Sequence, residues 1–138
     1  DVAEVVAQYG ERVGVAFQIA DDVLDLVSSG ETSGKTPGTD LREGVDTLPV
    51  LLLRRREKAG TLDEEGRGIL ADLAGDLSSD EALASVVARL RAHDVLDETR
   101  DLARAWCDGA VALLDGLPDG EARTALVAFA HLMVDRLS

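Results

Sequence analysis

Apolar residues recur at three- and four-residue intervals along almost the whole 138-residue chain, and that periodicity leaves room for little except helices. Leu83, Val86, Val87 and Leu90 make one such stripe. Val95, Thr99, Leu102, Trp106, Ala110 and Leu113 make another, and Ala122, Leu126, Phe129, Ala130, Met133 and Leu137 a third. Aromatic residues are only 3 % of the chain, so Leu, Val and Ala must do the packing, and with Arg and Glu they favour helix. The spacing predicts six helical segments, about 2–28, 40–58, 62–75, 79–91, 94–115 and 119–137, and no strand. Between the first two, SSGETSGKTPGT (28–39) is dense in Gly, Ser and Thr and reads as a flexible or ligand-shaped loop. Asp40 can cap the second segment or open its first turn, with Glu43 three residues on as in a capping box. Pro49 should bend that segment or reset its start, and Gly60 should end it.

A chain of this length can bury roughly 65–70 % of its unfolded surface in one domain. No internal repeat or low-complexity linker divides it, so a single all-helical domain over residues 1–138 is expected, with short connections favouring antiparallel neighbours. The net charge of −13 argues against nucleic-acid backbones and anionic membrane surfaces as partners. One cysteine, Cys107, excludes an intrachain disulfide and fits a reducing, cytoplasmic compartment. No apolar run reaches the ~18–20 residues of a membrane span. The chain opens at Asp1 inside a helical pattern, so it is expected to be a piece of a longer protein or a processed one.

Within the first helix, GVAFQIADDVLDLV (14–27) carries three aspartates and a glutamine among apolar residues. On a helical wheel Gly14, Gln18, Asp21, Asp22 and Asp25 share one stripe. Val15, Ile19, Val23 and Leu26 form a second, and Phe17, Ala20, Leu24 and Val27 a third, so most of the circumference is expected to be buried. Asp21 and Asp25 stack about 5–6 Å apart. Each close like-charge pair costs on the order of 3 kcal/mol at an effective dielectric of ~20. The stripe is therefore either an ordinary solvated face or a holder of positive charge. Carboxylates without neighbouring His or Cys point to Mg²⁺ as that charge.

The order F-Q-x-x-D-D-x-L-D, then G-K-x-x-G-T-D-L-R-E-G, then T-L-P resembles the trans-isoprenyl diphosphate synthase (polyprenyl synthetase) family. Phe17, Gln18, Asp21, Asp22, Leu24 and Asp25 carry the first motif. Gly34, Lys35, Gly38–Gly44 and Thr47–Pro49 carry the rest, and the specific match spans about residues 14–50. The resemblance implies an all-α isoprenoid-synthase-type bundle, of which this chain is the C-terminal half. It implies an enzyme, a prenyltransferase, that condenses an allylic diphosphate with isopentenyl diphosphate into a longer linear polyprenyl diphosphate, using Mg²⁺. Asp21 would ligate the metal directly, Asp22 and Asp25 directly or through water, and Asp40 through the metal's water shell. Lys35 would bind the allylic diphosphate, Gln18 would hydrogen-bond near it, and Phe17 would pack beside the homoallylic substrate or carbocation. Asp21, Asp22 and Lys35 are thus the expected catalytic groups, and a homodimer is implied.

The chain also departs from the pattern. Val45 stands where the family often has a second diphosphate-binding lysine, and no first aspartate-rich motif is present. The chain alone is therefore expected to be inactive and, as a half-bundle, to expose apolar faces that invite self-association. A non-catalytic subunit of a heteromeric synthase and a terpene cyclase of the same fold are the alternative readings. Elsewhere, Arg54–Arg56 with Lys58 read as a solvated helix end, and His93 and His131 as structural or surface residues. Cys107 reads as a small buried residue, Trp106 and Met133 as core or interface, and Asp94, Asp97 and Asp101 with Arg100 and Arg104 as an exposed ion-paired face.

Overall fold

The computed structural model describes residues 1–27 and 37–137, and every regular element among them is helical. In chain order they are α1 (Val2–Val27), α2 (Thr39–Arg42), α3 (Leu48–Ala59), α4 (Glu64–Leu73), α5 (Asp80–Ala92), α6 (Val95–Leu113), a 3-10 turn (Leu114–Gly116) and α7 (Glu121–Asp135). The predicted second helix is thus two. Pro49 resets the start, lying in the first turn of α3, and Gly60 ends that helix at φ 75°. The capping box does not form: Asp40 lies in the first turn of α2, and Gly38, which has no side chain to cap with, takes the N-cap position. Asp63 and Ser79 do cap α4 and α5, accepting from Gly66 N–H at 2.9 Å and Ala82 N–H at 3.1 Å.

The described residues group into two compact units, 22–99 and 1–21 with 100–138. In the first, α3 packs on α4 and α4 on α5. Leu53, Ile69, Leu83, Val86 and Leu90 are fully buried there. Arg56 donates to Asp94 at 2.6 Å and to Glu98 at 2.8 Å. It therefore ties α3 to the start of α6 instead of trailing in solvent, because its planar fork reaches two carboxylates at once. Arg89 likewise binds Glu65 and Asp72 on α4.

In the other unit, Tyr9, Val13 and Ala16 of α1 share a core with Cys107 and Ala110 of α6 and Ala130 and Met133 of α7. Tyr9 O–H donates to the Leu126 carbonyl at 2.5 Å. Here the buried stripe runs through Ala103, Cys107 and Ala110 of α6 to Leu114 of the 3-10 turn; Ala110 is buried as predicted, whereas burial falls one position beyond the predicted Leu102, Trp106 and Leu113. Its small side chains allow close approach, and Trp106, expected in the core or at an interface, stays 40 % exposed. Burial pushes the Cys107 thiol up and leaves it an inert packing group.

Candidate functional site

One continuous helix, α1, presents Phe17, Gln18, Asp21, Asp22 and Asp25. Phe17 and Gln18 are exposed and the three aspartates are half-buried. The expectation that most of the helix is buried is corrected. A single face, Tyr9, Val13, Ala16, Ile19, Ala20, Val23 and Leu26, is covered, and Phe17 remains 43 % exposed. The three- and four-residue steps through Val13, Ala16, Ala20 and Val23 define that face, whereas Phe17 lies about 100° round from Ala16.

Asp21 has a counter-charge within the chain. Arg136, the residue that closes α7, donates from Nη2 to Asp21 Oδ1 at 3.1 Å. The same guanidinium lies 5.0 Å above the centroid of the Phe17 ring and places Nη1 3.6 Å from Met133 Sδ. Sequence reasoning gave Arg136 no role. Its only legible signal was a cation at a helix C-terminus, which is a common and uninformative placement.

Asp22 does something else. Its Oδ2 accepts from Leu48 N–H at 3.0 Å, satisfying the first amide of α3 from outside that helix. The residue in the N-cap position, Thr47, makes no side-chain cap, and its buried Oγ1 has no hydrogen-bond partner among the described residues. Asp25 holds the other end of the G-T-D segment through its backbone. Its carbonyl accepts from Gly38 N–H at 3.0 Å, which brings the first turn of α2, with half-buried Asp40, to the end of α1. Gly38 is required twice over. It adopts φ 81°, and a Cβ there would lie 2.5 Å from Val87 Cγ2. Val45 lies between α2 and α3 and is exposed. Lys35 lies outside the described residues.

These carboxylates are hard oxygen donors with no imidazole or thiolate beside them in the motif, a donor set that suits a divalent cation of the Mg²⁺ or Ca²⁺ type. Among the described residues no three His, Cys, Asp or Glu side chains converge closely enough to hold a metal by themselves. Asp21 and Asp22 are instead engaged with Arg136 and with the Leu48 amide. Such a set needs further oxygens, as from a diphosphate, to complete a coordination shell. Among the described residues no helix is long and apolar enough to cross a membrane.

The family model described as Polyprenyl synthetase matches residues 1–89. The octaprenyl diphosphate synthase of Haemophilus influenzae is 34 % identical over 93 % of this chain and 37 % of its own length. Heptaprenyl diphosphate synthase component 2 of Geobacillus stearothermophilus is 36 % identical over 86 % of this chain and 34 % of its own. A crystal structure of geranylgeranyl pyrophosphate synthase from Corynebacterium glutamicum, complexed with calcium and isoprenyl diphosphate, superposes with a TM-score of 0.84 at 37 % identity. It covers 97 % of this chain and 40 % of that one. The chain thus spans about a quarter to two-fifths of the length of the curated relatives it matches. By the motifs on α1 and α2, by the family match and by the helical fold it shares with these synthases, this chain belongs to the polyprenyl synthetase family.

Proposed function

We propose that these residues are the second aspartate-rich part of a trans-polyprenyl diphosphate synthase that extends an allylic diphosphate with isopentenyl diphosphate, in the cytoplasm and as a homodimer. One observation carries this reading: the hydrogen bond from Gly38 N–H to the Asp25 carbonyl ties the D-D-x-x-D end of α1 to the G-T-D start of α2. Two motifs separated in sequence are thereby gathered at one end of a helix. In the reaction the C–O bond of the allylic diphosphate breaks and the double bond of isopentenyl diphosphate forms a C–C bond to the allylic carbon. A proton then leaves to restore an alkene, and diphosphate is the co-product. A bound Mg²⁺ supplies stabilisation of the charge that develops on the departing diphosphate.

The chain's own side chains have distinct tasks. Asp21, Asp22, Asp25 and, from α2, Asp40 hold Mg²⁺, directly or through water. Lys35 carries a point charge to the allylic diphosphate from its Gly-flanked segment. Gln18 hydrogen-bonds near that group, and the exposed ring of Phe17 offers a π-face to the alkene or to positive charge on carbon. No protein nucleophile is needed. The test is extension of labelled isopentenyl diphosphate on a farnesyl diphosphate primer by the complete protein with Mg²⁺. Longer prenyl diphosphates should form and should vanish with excess EDTA; no product with any allylic primer would overturn the reading.

A subunit of a heteromeric synthase is the second reading, favoured by the relative named as a component and by Val45 in place of a phosphate-binding lysine. Activity only on mixing with a separate polypeptide would select it.

A further inference from the structure

One guanidinium covers two of the groups to which the synthase reading assigns a positive partner. Arg136 donates to Asp21 Oδ1 at 3.1 Å and lies over the Phe17 ring at 5.0 Å. Asp21 is the proposed metal ligand, and Phe17 is the proposed neighbour of the alkene and carbocation. We propose that Arg136 is an internal competitor at this site, a resident cation that must swing away before Asp21 can accept a metal ion. The inference rests on the assignment of Asp21 as a metal ligand.

Three features make the exchange physically reasonable. A guanidinium stays charged at every accessible pH, so it neutralises Asp21 without a proton having to move. Arg136 closes α7, where backbone N–H groups of the last turn are already satisfied by Leu132 and Val134 carbonyls, so its side chain can leave without unwinding the helix. The contact is also weak enough to yield. Both side chains are about two-fifths exposed, and an exposed pair with one cation–π contact holds its geometry by a factor of about 3–30. The Met133 sulfur lies 3.6 Å from Nη1, the guanidinium nitrogen that does not bond Asp21, and adds a soft contact there. Held this way Asp21 stays paired until a divalent ion arrives, and the ring of Phe17 is uncovered in the same movement.

The experiment uses the full 138-residue chain and Mn²⁺ with inorganic diphosphate, which supplies the further oxygens the carboxylates need, titrated by electron paramagnetic resonance, with circular dichroism confirming that each variant is folded. Arg136→Gln should bind Mn²⁺ about three- to thirtyfold more tightly than the parent. Arg136→Lys should fall between them, and Asp21→Asn should lose the site in either background. In a ¹⁵N-arginine spectrum the Arg136 Nε–H signal, shifted by the Phe17 ring, should move to the exposed position as Mg²⁺ is added. Mn²⁺ binding of equal strength in parent and Arg136→Gln, or an Arg136 signal unmoved at metal saturation, would overturn the competitor role while leaving the metal assignment intact. Absence of Mn²⁺ binding in all variants would overturn the metal assignment, and the competitor role with it.

Discussion

Asp22 and Leu48 are 26 residues apart, yet the Asp22 carboxylate accepts the Leu48 amide hydrogen at 3.0 Å and starts α3. An aspartate of the acidic motif therefore has a structural duty that needs no metal. Asp22→Ala should lower stability by about 1 kcal/mol, in the range of a lost helix cap, and Asp22→Asn should keep part of it because an amide oxygen can still accept. Urea unfolding in the presence of EDTA measures this without interference from metal.

Asp21 should behave in the opposite way. Its ion pair with Arg136 is exposed, and such pairs are worth about 0.2–1 kcal/mol. Asp21→Asn should leave the melting temperature within a few degrees of the parent while lowering kcat of the complete synthase on the order of 100-fold. A large loss of stability with unchanged kcat would contradict the assignment.

Asp63 links two elements and gives stability an acid limb. It accepts from Gly66 N–H at 2.9 Å and lies 2.8 Å from His93 Nε2. His93 Nδ1 accepts from Val95 N–H at 3.0 Å, so the proton of the neutral ring sits on Nε2 and is donated to Asp63. The His93 hydrogen bond, followed by that of Gly66, holds the Asp63 carboxyl below its ordinary 3.8. A folded-state value below the unfolded one means the contribution is present in full above that ordinary value and is lost as pH falls through the folded one. Asp63→Asn should flatten stability below about pH 4 relative to the parent and change little of its slope near neutrality. Denaturant midpoints from pH 3 to 7 would show it.

Gly38→Ala should be among the most disruptive single-methyl additions available. The left-handed backbone and the 2.5 Å approach to Val87 act together, and the sum is about 2–4 kcal/mol. Loss of amide protection over α2, read by hydrogen exchange, should precede global unfolding. An unperturbed melt would show that α5 yields readily.

The isolated 138-residue chain should form no prenyl product, because it spans 37–40 % of the length of the synthases it resembles. Detectable condensation by the purified chain would refute this.

The helices were legible because apolar periodicity and punctuation by Pro49 and Gly60 act locally. The split between α2 and α3 was less so: Asp40 and Glu43 fit a capping box by spacing, but the fold gives the cap position to Gly38, whose reason for being there is Val87, 49 residues on. The aspartate ridge was readable as one stripe of a continuous helix. Its counter-ion was not, since nothing within 115 residues of Asp21 announces Arg136. Trp106 was misplaced by one step of the wheel, because a stripe of Ala and Cys carries less apolar signal than the bulkier residues beside it.

The interleaving of the two units bears on how the chain is made. Residues 22–99 are contiguous and can collapse as they leave the ribosome, since they form a compact unit that needs no residue beyond 99. Residues 1–21 must wait for 100–138, and Tyr9 meets Leu126 only after more than a hundred further peptide bonds have been synthesised. Asp21 waits too, because Arg136, its counter-ion, is added 115 residues later.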